Sequence, residues 1–210
     1  DENVAAVEAG FANLARHVEN VAKFGVPAVV SVNRFIADTD AEMARLIELC
    51  DAMGVTCVEA NHWAEGGAGA EDVARAVVEI VESGKASFKP LYPDDMPLEE
   101  KIRSVAREIY RADDIQVPPA ISKQLAELDA TEAGKFPICM AKTQYSFSTD
   151  PTLKAAPTGF DIPVREIKLS AGAEFLVVVT GAIMTMPGLP RVPAADKIDV
   201  DGDGVISGLF

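Results

Sequence analysis

Basic residues are scarce in this chain: 19 Lys and Arg against 33 Asp and Glu leave a net charge of −14. Such a balance excludes a nucleic-acid backbone or an anionic membrane as the main partner. It does not exclude a small anion held by local arginines or lysines. Cysteine is nearly as sparse, with Cys50, Cys57 and Cys139 and no CxxC pair. An odd, scattered set excludes a disulfide framework and points to reduced thiols filling a core, hence to a cytoplasmic protein. The two histidines, His17 and His62, have no cysteine or histidine at metal-ligand spacing, so no metal site is expected. No apolar run reaches transmembrane length, and the N-terminus is acidic rather than a basic signal sequence. Internal repeats and low-complexity stretches are lacking as well.

What remains is a 210-residue chain, 49% hydrophobic and 25% charged, long enough to bury a sizeable core. It opens at Asp1-Glu2-Asn3 and enters a helical pattern at once, with Val4, Val7, Phe11, Leu14, Val18 and Val21 at three- and four-residue steps. That start, with no initiator methionine, reads as a fragment beginning inside a larger fold. The first helix is expected over 3–24, ending at Gly25. Val26–Val32 follows as a nearly unbroken β-branched run, the pattern of a parallel strand covered on both faces. Thr39 to Met53 is a second helix and Val55 to Ala60 a second strand, completing a β–α–β unit with parallel strands. A third helix is expected over Ala70–Ser83. Composition changes near Gly84, where a proline-rich connector (85–97) begins. Beyond it come helices from Pro97 and Pro119, then strands over 136–141, 162–169 and 174–180, and a hairpin over 197–206. The reading is α/β, with 1–84 as one segment and 85–210 as a smaller mixed α+β portion.

Ligands of open α/β sheets bind beyond the carboxyl ends of the strands. Asn33, Arg34 and Phe35 follow the first strand there, and Asn61–Gly69, carrying the single tryptophan, Trp63, follows the second. Both rings therefore leave the same sheet edge, and two facing aromatics form a slot for a flat heterocycle. The competing reading is an ordinary strand-to-helix loop. Lys142, Gln144 and Tyr145 at a strand end, and Met186-Pro187-Gly188 in a proline-stiffened turn, are further pocket candidates. Gly66-Gly67-Ala68-Gly69 precedes a helix but lacks the Lys-Ser/Thr of a phosphate-binding loop and reads as a flexible loop. Asp199, Asp201, Asp203 and Gly204 begin like a calcium loop, but the twelfth position is Phe210 instead of a bidentate glutamate; a polar hairpin tip is the better reading.

The strings NRFIADTD, FPICMAKTQYS and IMTMPGLPRVPAADKIDVDGDGVISGLF, with the Trp63 loop, closely resemble formate–tetrahydrofolate ligases, in their C-terminal portion. The resemblance implies that the first segment is part of a P-loop-NTPase-like parallel sheet and that Phe35 and Trp63 sandwich the pterin of tetrahydrofolate. It further implies a cytoplasmic homotetramer that uses ATP with Mg²⁺, activated by a monovalent cation, to join formate to N10 through formyl phosphate. The family's P-loop lysine belongs to an N-terminal portion that does not match here, and catalytic residues are not assigned. The isolated chain is therefore expected to make no formyltetrahydrofolate. The alternative is a non-catalytic folate-binding partner that completes a complex with a separate N-terminal chain.

Overall fold

The computed structural model describes residues 2–142, 146–181 and 191–208. Helix α1, Val4–Lys23, begins at Asn3, whose side-chain oxygen accepts from the Ala6 N–H at 3.0 Å. Gly25 ends it at φ +71°, a conformation that favours glycine, and a Cβ there would run into the Ser87 carbonyl. Strand β1 spans Val29–Asn33, later than the expected Val26, because Pro27 has no N–H to give a ladder. Helix α2, Asp40–Ala52, starts in a capping box: the Glu42 N–H donates to Thr39 and the Thr39 N–H to Glu42. Strand β2, Thr56–Ala60, pairs parallel to β1 from Val29↔Thr56 to Asn33↔Ala60. A short helix α3, His62–Glu65, runs through a 3₁₀ turn at Gly66–Ala70 into α4, Glu71–Glu82. The glycines expected as a flexible loop are thus an ordered turn.

One expectation fails here. Among the described residues β1 and β2 form a two-stranded sheet, and no residue of β1 is fully buried. The strand has the composition for two covered faces without the cover.

The second half is built differently. Pro97 precedes α5, Leu98–Glu108, whose Glu99 and Glu100 lie at its positive end. Strand β3, Asp114–Gln116, was not expected; three residues are too few for a period-2 pattern to show. Helix α6 is Pro119–Asp129 and β4 is Ile138–Ala141. The single strand expected over 162–169 is two strands, β5 (Asp161–Pro163) parallel to β3 and β6 (Glu166–Ser170). The partner changes between Val164, whose N–H donates to the Gln116 carbonyl at 2.9 Å, and Arg165, whose N–H donates to Val179 at 2.8 Å. β7, Phe175–Val179, lies between β4, to which it is parallel, and β6, to which it is antiparallel.

Leu98, Ile102, Leu125, Ile162, Leu176 and Val178 form the core between α5, α6 and these strands. Lys101 is buried with them; its ammonium donates to the carbonyls of Gly134 (2.8 Å) and Phe136 (3.0 Å), and burial lowers its pKa. At the C-terminal side, β8 (Asp199–Val200) and β9 (Ile206–Ser207) form the expected hairpin. The Asp201 carboxylate accepts from the N–H groups of Asp203 and Val205 inside the turn. That supports the hairpin reading over a calcium loop.

Candidate functional site

The parallel register fixes the first half of the site. Arg34 continues the ladder by donating its N–H to the Ala60 carbonyl at 3.2 Å, so the chains leave β1 and β2 side by side. The 34–38 turn is held by Asp38, whose carboxylate accepts from the Phe35 N–H at 2.8 Å, and this turns the Phe35 ring outward, 60% exposed. Trp63 sits in α3 and is 54% exposed, and its indole Nε1–H donates to the Arg34 carbonyl at 3.1 Å. One hydrogen bond therefore ties the indole to the residue next to Phe35. The two rings make no ring–ring contact with each other among the described residues.

The loop bearing Trp63 is closed at its base. The Asn61 N–H donates to the Gly69 carbonyl at 3.0 Å, and a Cβ on Gly69 would come within 2.5 Å of the Asn61 backbone. Only glycine allows this approach, so Gly69 serves to close the Trp63 loop. Arg34 turns its guanidinium to the carboxylates of Asp40 and Glu59, which raise its pKa. Its cation is thereby offset by two acids, a poor arrangement for capturing an anionic ligand. Asn33 is exposed at the end of β1.

Lys142 lies elsewhere. It lines a cavity of about 800 Å³ with His17, Asn20, Tyr110 and Phe147, and neither Phe35 nor Trp63 is among the lining residues. Its ammonium donates to the Ser146 carbonyl and stands 5.6 Å from the centre of the Tyr110 ring, and burial lowers its pKa. Tyr110 is partly buried, and desolvation pushes its phenol up to about 12. The remaining sequence candidates, Gln144, Tyr145, Met186, Pro187 and Gly188, lie outside the described residues. The structure thus brings Asn33, Arg34, Phe35 and Trp63 together and sets Lys142 apart from them.

Sequence reasoning missed the cavity. Its one signal was a polar stripe at Asn13, His17 and Asn20, three to four residues apart on a helix otherwise read by its apolar face. Among the described residues no group of three or more His, Cys, Asp or Glu is placed to hold a metal ion, and no helix is long and apolar enough to cross a membrane. All three cysteines are free thiols, and burial pushes Cys57 up to about 12.

The formate–tetrahydrofolate ligase family profile matches residues 1–210. A formate–tetrahydrofolate ligase of Granulibacter bethesdensis is 60% identical over 209 residues, covering all of this chain and 36% of that protein. Those of Maricaulis maris and a Ruegeria species are 57% and 56% identical, again over the whole chain and 38% of their own length. The chain therefore spans little more than a third of the length of these curated relatives. A match that runs through every part of the two segments described above settles the kinship: the chain belongs to the formate–tetrahydrofolate ligase family.

Proposed function

We propose that this chain is the folate-binding portion of a cytoplasmic ATP-dependent ligase that joins formate to N10 of tetrahydrofolate through formyl phosphate. Residues 1–84 carry the slot and belong to a P-loop-NTPase-like sheet; residues 85–210 form the mixed portion behind it. The observation that carries the reading is the Trp63–Arg34 hydrogen bond, which holds two exposed rings at one edge of a parallel pair. Exposed aromatics of this size bury apolar area when a flat ring enters between them. A pterin stacked there has its N10 side held in place, which is a proximity contribution to formyl transfer.

The triphosphate and magnesium are another matter. Their chemistry is charge neutralisation by a lysine, backbone amides and the metal. The residues here do not fit it: there is no Gly-rich lysine motif in the sequence, and the Gly66–Gly69 turn is followed by Ala70-Glu71 instead of the Lys-Ser/Thr of a phosphate cradle. No step through ATP, Mg²⁺ or a monovalent cation is assigned to these residues, and that part of the reaction falls to an N-terminal P-loop portion within a homo-oligomer.

Trp63 reports on its own site. Tetrahydrofolate should quench its emission, and Trp63→Ala should weaken binding about 5- to 150-fold, since ring stacking is worth roughly 1–3 kcal/mol. Phe35→Ala should act similarly, with the double variant less than additive because one face alone does not close the slot. In the complete enzyme the KM for folate should rise and that for ATP stay nearly constant. Unchanged folate affinity in a folded Trp63→Ala protein would rule the slot out.

A further inference from the structure

The cavity around Lys142 is a separate place. It begins at Asn13, about 15 Å along α1 from Asn3, the residue whose N–H reaches Glu42 near the slot, and it runs to Phe24 at the other end of the helix. Its walls are aromatic: Phe24, Phe88, Tyr110 and Phe147. Phe24 and Phe88 stack at 6.3 Å and 7°, leaving their shared edge as a flat side.

Two atoms beside it are unexplained by the fold. Asn20 is 6% exposed; its Nδ2 donates to the Ile109 carbonyl at 2.9 Å, but its Oδ1 is buried with no hydrogen-bond partner among the described residues. One turn earlier Arg16, 5% exposed, has its Nη1 in the same condition, with its guanidinium 5.5 Å from the centre of the Phe147 ring. Buried polar groups left unpaired are exceptions that ask for a partner. The local charge is also unusual for this acidic chain. Among the described residues Arg16 and Arg111 both pair with Glu19 beside the cavity, and the lining itself holds one lysine, Lys142, and one carboxylate, Asp94.

We propose that this cavity binds a flat aromatic anion carrying an N–H or amino donor: rings against Phe24, Tyr110 and Phe147, the donor on Asn20 Oδ1, and the anionic group toward Lys142. The donor satisfies an acceptor that nothing among the described residues reaches. The anionic group meets the Lys142 ammonium in low-dielectric surroundings, where a charge-assisted hydrogen bond is stronger than a neutral one. The volume accommodates two or three fused or linked rings. Neither Phe35 nor Trp63 is among its lining residues, so it is a site separate from the pterin slot.

A pair of dyes separates these contributions in the complete polypeptide. 8-Anilinonaphthalene-1-sulfonate has two ring systems, one N–H and one sulfonate; N-phenyl-1-naphthylamine is the same without the sulfonate. The sulfonate dye should bind one to one and about tenfold tighter than the neutral dye, measured by fluorescence titration. Lys142→Gln should erase that preference, Asn20→Ala should weaken both dyes several-fold, and Val105→Phe, which narrows the cavity, should weaken both strongly. Trp63→Ala should change neither. Circular dichroism of each variant must match the parent; should a variant fail to fold, the comparison of the two dyes in the unaltered protein still tests the proposal. Equal affinity for the two dyes, or a preference that survives Lys142→Gln, would overturn the proposal. So would loss of binding in Trp63→Ala, which would place the dye in the slot. No binding at all to the complete polypeptide would also overturn it, showing that another part of the protein fills the cavity.

Discussion

The two halves of this chain solve the burial problem in opposite ways. In residues 98–178 the apolar side chains meet one another: Leu98, Ile102, Ile162, Leu176 and Val178 are sealed from solvent. In residues 4–84 the fully buried hydrophobics are Met43, Cys50 and Ala60, while Ile36, Val77, Val78 and Val81 remain exposed and Arg16 and Asn20 are buried. Helix α1 reaches the second half mainly through polar bonds, Asn13 to the Ala155 carbonyl, Asn20 to Ile109 and Lys23 to Glu108. The contrast separates composition from burial. The first half has apolar content enough for a core, yet among the described residues its β–α–β unit offers faces with nothing against them. Such faces suit a region that packs against more of its own protein, and the relatives, of which this chain covers 36–38%, are longer by the remainder.

The largest expected effect comes from the sealed half. Leu176→Ala should cost about 2–5 kcal/mol in urea unfolding of the 210-residue chain, because deletion leaves a cavity in a packed core. Val81→Ala, at a side chain 72% exposed, should change stability by no more than about 0.5 kcal/mol. Equal losses at the two positions would break the comparison.

Next is the seam between the halves. Gly25 accepts from the Ser87 N–H at 2.8 Å while Phe24 accepts from Lys89 at 3.0 Å. Gly25→Ala forces an L side chain to φ +71° and against the Ser87 carbonyl. The left-handed conformation alone costs about 1–2 kcal/mol, so the loss should be at least that. Trp63, the single tryptophan, reports on the first half, and circular dichroism on both. The variant should make the fluorescence transition precede the dichroism transition further than in the parent. Coincident transitions would show that the seam does not couple the halves.

The helix ends of both halves were legible because single residues encode them: Asn3, Gly25, Thr39 with Glu42, Gly54, and Pro97 each mark a terminus through its own side chain or backbone. Strand pairing was less so. The change of partner at Val164 depends on where Gln116 and Val179 lie, 48 and 15 positions away, although Pro163, lacking an N–H, was a local hint. The meeting of the Phe35 and Trp63 loops followed from the parallel rule for β–α–β units, whereas the indole's bond to Arg34 did not. The cavity was invisible from sequence since Asn20, Tyr110 and Lys142 come from three separated stretches. Burial of β1 was misjudged because composition records what a strand can bury, not what is present to cover it.

Smaller effects test whether the first half leans on local caps where it lacks a core. Thr39→Ala removes the oxygen that accepts from the Glu42 N–H at 3.3 Å and should cost about 1 kcal/mol. Read by Trp63 fluorescence, the loss should appear in full; a shift below a few tenths would mean that packing, not the cap, holds α2.

The smallest effect is a proton. Glu42 accepts from the Asn3 N–H at 2.7 Å and from the Thr39 N–H at 3.1 Å, and these bonds hold its carboxyl below the ordinary carboxylate value, Asn3 contributing most. With the folded pKa below the unfolded one, the unfolded chain binds the extra proton first as pH falls. The stabilisation is thus complete above the unfolded pKa of about 4.3 and fades below it as Glu42 protonates in the fold. Glu42→Gln keeps an acceptor for the capping box while removing the titration. Between pH 6 and pH 3.5 the parent's fluorescence midpoint in urea should therefore fall further than that of Glu42→Gln, by less than the Thr39→Ala loss since the group is at the surface. Other carboxylates, Asp114 among them, are held low by their own partners in the second half and pull both proteins down alike, so the difference between the two curves isolates Glu42. Parallel curves would show that the Asn3 and Thr39 bonds add nothing in solution, and that α1 and α2 are joined at this end by packing alone.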